Sequence, residues 1–226
     1  MDVEPQLPPP SEAMIRPDTS NSSPPDPLAA YTAAAKKLAA KNKAKTFSPV
    51  YIAGMDWYVA MGFVYDYGGR IARFQNNRWQ GALNSPQAVA GLTKLKSVVL
   101  SLSRASKTGD EANPQQALVF SKGKVASFIG NGWEWPYALD PKVGNPALTG
   151  KIGAYPMPSH TPGKYMPTFL GGSNLGVPVT SKQKALAADW IAAFTNTQNM
   201  TRMATSGGVI PNTTSLARIN AAKPTL

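Results

Sequence analysis

Apolar positions recur three and four residues apart in several stretches of this chain, each preceded by a residue able to cap a helix. Ser85-Pro86 stands before Val89, Leu92, Leu95, Val99 and Leu102, which share one helical face. Asp26-Pro27 opens an alanine-rich run to Lys41 whose apolar face is Leu28, Tyr31, Ala35 and Leu38. Asn113-Pro114 predicts a shorter helix through Leu118 and Phe120, stopped near Gly123. Ser181 predicts the cap of a further helix, with Leu186, Trp190, Ile191 and Phe194 as its buried stripe. Between these helices, Val125 to Ile129, Ile152 to Tyr155 and Leu175 to Val179 read as short strands. Strands alternating with helices predict an α/β fold. Proline- and glycine-rich loops occupy 145–150 and 156–172, and no internal repeat is visible.

The pattern is missing from residues 1–27. Prolines stand there at 5, 8, 9, 10, 17, 24, 25 and 27, with serines and acids between them and few apolar anchors. Such a stretch cannot bury enough surface to offset its ordering entropy, so it is expected to be disordered. Elsewhere, 42% hydrophobic residues over a length of 226 suffice for a sizeable core. No run approaches the ~18 apolar residues of a membrane span, and the first residues show neither the basic nor the apolar region of an export signal. The absence of cysteine excludes disulfides, thiolate metal sites and cysteine nucleophiles.

Charge changes the picture only slightly. The balance of 23 basic against 12 acidic residues gives +11, yet charged residues make up only 15% of the chain, so the excess reflects scarce acids. The one dense cluster is Lys36, Lys37, Lys41, Lys43 and Lys45. Opposite the apolar face of the first helix, it reads as a solvated surface rather than a nucleic-acid footprint.

Enzyme signatures are sparse. The single histidine, His160, lies in the loop Pro158-Ser159-His160-Thr161-Pro162 with no sequence signal for a partner acid, and reads as a plain loop residue. One histidine without cysteines makes a poor zinc set. Gly171-Gly172-Ser173-Asn174-Leu175-Gly176 is glycine-rich, but it precedes a strand where a dinucleotide loop follows one. The positive signal is aromatic. Trp57-Tyr58 stands beside Asp56, and Trp133-Glu134-Trp135 brackets a carboxylate. Aromatic rings stack on the apolar faces of sugars while carboxylates and amides meet their hydroxyls. The same rings could equally be core, although Gly130, Gly132 and Pro136 favour a loop at a binding surface.

These motifs, in this order, resemble the sugar-binding extracellular solute-binding proteins of ABC importers, including the maltose-binding type. Trp57-Tyr58 through Asp66-Tyr67-Gly68-Gly69 is similar to the family's aromatic segment and acid-x-Gly-Gly turn. The run from Gly81 to Leu92 resembles the helix start that follows it. Phe120 to Ala126, leading into Asn131-Gly132-Trp133-Glu134-Trp135, resembles its helix end, strand and Trp-x-Trp loop. Tyr155-Pro156-Met157-Pro158 resembles its hinge strand, Gly171 to Val177 its re-entrant strand, and Gly207 to Asn212 its late Gly-x-x-Pro turn.

The resemblance implies a periplasmic-binding-protein-like (type II) α/β fold of two lobes around a cleft, and binding rather than catalysis. It casts Trp133 as the stacking ring, Trp57 as a second aromatic wall, and Gly172, Ser173 and Asn174 as the opposite wall, with Asp56 and Glu134 as lesser hydroxyl acceptors. Gly172 could alternatively serve only backbone freedom. The implied partners are a sugar ligand and the permease subunits, with no nucleic acid, cofactor or metal, in an extracytoplasmic location. Several family features are not found: the segments before Leu28, the last helices, a signal peptide and a lipid-anchor cysteine. The expectation is therefore a truncated chain: 1–27 disordered, 28–150 resembling the C-terminal lobe, 151–206 a hinge strand and partial second lobe, and 207–226 a return segment. The rivals are a glycoside hydrolase fragment, which needs two carboxylates across one bond, and a basic nucleic-acid-binding module.

Overall fold

A computed structural model shows how these patterns are used. It describes residues 27–42, 44, 46–132, 134–169, 171–207 and 210–216; the expectation of disorder for 1–27 thus falls almost wholly outside the described residues. Contacts divide the chain into two units, Met1–Gly130 with Pro136–Phe169, and Asn131–Trp135 with Leu170–Leu226.

In the first unit, α1 (Pro27–Lys41) starts on its proline and buries Leu28, Tyr31 and Ala35, leaving Lys36, Lys37 and Lys41 exposed as the pattern predicts. Helix α2 (Trp57–Asp66) is capped by Asp56 and buries Val59, Gly62, Phe63 and Val64. Helix α3 (Pro86–Leu102) is capped by Ser85, whose hydroxyl accepts from the Ala88 N–H. Its inward face is Ala88, Gly91, Val98 and Leu102, while Val89, expected inside, is 49% exposed. The correction has a steric cause: a Cβ at Gly91 would lie 2.4 Å from the Phe63 carbonyl oxygen. The small residues Ala88 and Gly91 thus set the face on which α3 meets α2, and with it the rotation of the helix. Phe63, Val59, Val98 and Leu102 join Leu28, Tyr31, Ile52 and Met166 in one core.

A hairpin that the hydrophobic pattern did not show follows α2: β1 (Ala72–Gln75) pairs antiparallel with β2 (Arg78–Gly81), Phe74 opposite Trp79. Asn76 and Asn77 hold φ of 52° and 57°, the backbone of a two-residue turn that asparagine tolerates. Neither strand buries a residue, so no apolar alternation marks it. The expected strand at 125–129 runs parallel to 48–52 as single bridges, Ser48 with Val125 and Tyr51 with Phe128. Between the bridges, the Ser127 hydroxyl donates to the Pro49 carbonyl at 3.0 Å.

Two predicted helix starts move. Asn113-Pro114 does not begin α4 (Gln116–Ser121), which Gln115 caps by accepting from the Ala117 N–H. Asp110 holds Ala112 and Asn113 in a turn of their own, accepting both N–H groups. Gly123, at φ 75°, ends that stretch as expected. Helix α5 (Glu134–Leu139) crosses the division between the units in sequence.

In the second unit, α6 (Lys184–Phe194) begins three residues after Ser181, whose hydroxyl accepts from Gln183 N before the helix starts. The predicted buried stripe is not buried: Leu186 is 67%, Trp190 57% and Phe194 38% exposed. Trp190 and Phe194 stack on each other, 5.1 Å between centroids, as neighbours one turn apart. A helix absent from the sequence reading, α7 (Thr197–Gly207), follows, with Met200 and Ala204 buried one turn apart. Neither 152–155 nor 175–179 forms a ladder among the described residues.

Candidate functional site

The start of α2 gathers the exposed rings. Asp56 turns the chain into the helix, and Trp57 and Tyr58 occupy its first two positions, where side chains stand clear of any preceding helical turn. Their rings lie 4.0 Å apart at 31°. Phe169 meets Trp57 edge-on at 5.0 Å and 76°, and Tyr58 at 5.3 Å. Trp57 keeps 49% of its surface exposed and Phe169 38%. The trio is therefore an open aromatic corner rather than core. Phe169 escaped the sequence analysis because it sits in a loop with no periodicity. Its position just before Gly171-Gly172-Ser173 was the only local signal.

The two carboxylates expected beside the tryptophans are held by backbone. Asp56, 4% exposed, accepts from the Val59 N–H at 3.1 Å. Burial pushes its carboxyl up to about 6, against the hydrogen bond from Val59, with the charges of Glu111 and Asp110 adding to the rise. Glu134 is fully buried, and its Oε2 accepts from Asn131 N at 2.7 Å while Glu134 N donates to Asn131 O at 3.0 Å. This reciprocal pair closes the turn into α5, much as a capping box closes a helix start. Trp133, the expected stacking ring, lies outside the described residues; Trp135 is half-buried in α5.

Gly172, Ser173 and Asn174 lie exposed on a segment without regular secondary structure in the second unit. A Cβ at Gly172 would meet nothing within 4 Å, and its φ is not in the left-handed region. Local backbone geometry therefore does not require glycine at that position.

His160 is no plain loop residue. Its backbone N–H and Nδ1 both reach Asp66 Oδ2 at 2.9 Å, and the Ser159 hydroxyl donates to Asp66 Oδ1 at 2.6 Å. The Tyr67 ring stacks on the imidazole at 4.1 Å and 19°. Asp66, its side chain only 2% exposed, pins the loop to the end of α2. A sequence separation of 94 positions hid this partner. The serine bonds the acid rather than the imidazole, so this is a clamp and lacks the order of a nucleophilic triad.

Among the described residues, no group of three or more His, Asp or Glu side chains could hold a metal ion, and no helix is long and apolar enough to cross a membrane.

Residues 11–225 match the family of bacterial extracellular solute-binding proteins. The diacetylchitobiose-binding protein DasA of Streptomyces coelicolor is 37% identical over 164 residues, which is 73% of this chain and 38% of that protein. Among solved structures, the GacH receptor of Streptomyces glaucescens, determined unliganded and with acarbose, superposes with a TM-score of 0.67 at 22% identity, over 87% of this chain and 48% of that one. A solute-binding protein of Thermotoga lettingae bound to α-D-tagatose gives 0.64 at 19% identity, over 88% and 49%. The chain spans half or less of the length of each. Its fold is the type II binding-protein fold in part, α/β in class, with the helices dominating the described residues.

Proposed function

Since the chain belongs to the bacterial extracellular solute-binding proteins, we propose that it recognises a mono- or oligosaccharide outside the cytoplasm for delivery to the permease subunits of an ABC importer. The observation that carries the ligand class is the solvent-open corner of Trp57, Tyr58 and Phe169. Such rings offer apolar faces to the C–H faces of a pyranose. The ligands named for the similar proteins, diacetylchitobiose, acarbose and tagatose, are all of carbohydrate type and support the same class.

In this reading Trp57 offers a ring to the sugar, and Trp133, cast by the resemblance as the stacking ring, is a further candidate. Gly172, Ser173 and Asn174, exposed in the second unit, are candidates to meet hydroxyls through backbone and short polar groups. Asp56 and Glu134, expected as acceptors, contribute by fixing the helix start and the turn that carry the tryptophans. Hydrolysis would need two carboxylates facing one bond. Asp56, Asp66 and Glu134 are each buried and hydrogen-bonded within the protein, which favours binding over turnover.

The test is calorimetric titration of the full chain with diacetylchitobiose, maltotetraose and tagatose. Saturable binding to at least one is expected. Trp57→Ala should weaken it about 10- to 100-fold, the equivalent of roughly 1–3 kcal/mol for one stacked, desolvated ring, with little change in thermal stability. No saturable binding to any of the three would overturn the proposal.

A further inference from the structure

The hairpin of β1 and β2 is a ribbon with two chemically different faces. Strand alternation puts Ala72, Phe74, Trp79 and Gly81 on one face and Arg73, Gln75, Arg78 and Gln80 on the other. Phe74 and Trp79 pack edge to face at 5.5 Å and 60°, yet stay 56% and 72% exposed. Beside Trp79 on that face, a Cβ at Gly81 would meet nothing within 4 Å, so the space there is open. The other face is cationic. Arg73 and Arg78 are exposed and, among the described residues, have no acid within ion-pair distance. From 67 to 109 the chain carries seven Lys and Arg residues and no Asp or Glu. Among the described residues the sheet has these two strands alone, which leaves an outer edge on each. The two-residue turn makes Gln75 and Arg78 a hydrogen-bonded pair, and the Ala82 N–H donates to the Ile71 carbonyl at 2.8 Å in the same phase. Trp79 and Gly81 therefore occupy the alternate positions of β2, where N–H and C=O point away from β1.

We propose that the outer edge of β2 accepts an extended segment of a partner protein as a third strand, one whose residues alternate between apolar and acidic. Backbone pairing satisfies the outward N–H and C=O groups of Trp79 and Gly81, the mode by which exposed sheet edges recruit strands. Alternation then fixes the side-chain chemistry. Every second residue of the added strand lies on the aromatic face, where Trp79 offers apolar surface and Gly81 leaves room for a branched side chain. The residues between them lie on the face of Arg78, with Arg73 one strand further, and acids there meet uncompensated cations. Charge and shape decide against other occupants. A second copy would bring the same arginines to the shared edge, and like charges on neighbouring strands oppose pairing. A bilayer is a single surface, whereas the rings and the arginines stand on opposite faces and the tip between them is Asn76-Asn77. A strand reaches both faces at once.

The experiment titrates the full chain into a fluorescein-labelled peptide of alternating valine and glutamate, followed by anisotropy. Saturable binding with Kd below about 1 mM is expected, weakening as salt rises. A matched peptide with lysine in place of glutamate should bind about 10-fold more weakly or worse. Hydrogen exchange at the Trp79 and Gly81 amides, read by NMR, should slow on addition of the glutamate peptide, because those N–H groups become paired. Arg78→Glu should reverse the order of the two peptides, and Trp79→Ala should weaken the glutamate peptide about 10-fold. Neither strand buries a residue, so both variants should keep the unfolding midpoint of the wild type, which separates lost binding from lost fold. No saturable binding of the glutamate peptide, equal binding of the two peptides, or unchanged exchange at Trp79 and Gly81 would overturn the proposal. Dimerisation abolished by Trp79→Ala, or binding to phosphatidylglycerol vesicles in place of the peptide, would overturn it in favour of self-association or a membrane contact.

Discussion

Replacing Asp56 with asparagine isolates the electrostatic cost of a buried cap. The carboxylate caps α2 through the Val59 N–H while only 4% exposed. Burial, with the charges of Glu111 and Asp110, outweighs that hydrogen bond and raises its carboxyl from 3.8 to about 6. The folded state therefore holds this proton more tightly than the unfolded chain does. The stability linked to the group is complete below about pH 4 and is lost as pH rises to about 6. The span from 3.8 to about 6 corresponds to about 3 kcal/mol. In Asp56→Asn the side-chain oxygen still caps the helix, but no charge is desolvated at neutral pH. Urea unfolding of both proteins at pH 4, 5, 6 and 7, followed by circular dichroism, gives the difference in stability. That difference should move in favour of the variant by roughly 2 kcal/mol between pH 4 and pH 7, since part of the effect already lies below pH 4. Asp56→Ala separates the cap from the charge, losing about 1 kcal/mol of capping at every pH. Parallel pH curves for wild type and Asp56→Asn would refute the reasoning, because they would mean that folding does not change the affinity of this carboxyl for its proton.

Three further outcomes follow from packing. Gly91→Val should destabilise by about 3 kcal/mol or more, since its Cβ would fall 2.4 Å from the Phe63 carbonyl oxygen; the urea midpoint measures it, and a near-neutral variant would mean that α3 does not meet α2 on this face. Trp190→Ala should cost less than about 1 kcal/mol, because the ring is 57% exposed, whereas a loss of about 3–5 kcal/mol in the same assay would restore the buried stripe. Ser85→Ala should cost about 1 kcal/mol by removing the acceptor of the Ala88 N–H, and Ser85→Asp should keep most of it.

Local chemistry was legible wherever one residue acts on its neighbours. The helix start at Pro27, the cap at Ser85, the stop at Gly123 and the exposed lysine face of α1 are consequences of backbone donors and helical period, which neighbouring residues supply. The order of motifs along the chain was also enough to identify the family. The hairpin at 72–81 could have been found from Asn76-Asn77, but burial patterns could not reveal it, since both its faces meet water.

Only tertiary structure decided the rest. Periodicity showed that α3 and α6 have apolar sides but not how fully each is covered. In α3, Leu102 is buried and Leu95 and Val99 pack against the core as the period predicts, while Val89 stays exposed and Ala88 and Gly91 make the close approach to α2; α6 keeps Leu186 and Trp190 in solvent. Asp66 finds His160, and Trp57 finds Phe169, across about a hundred positions of chain that no local pattern spans. A sequence specifies which groups can bond or stack. Which of them do so is settled when the chain closes on itself, because a contact distant in sequence exists only if every segment between has already found its place.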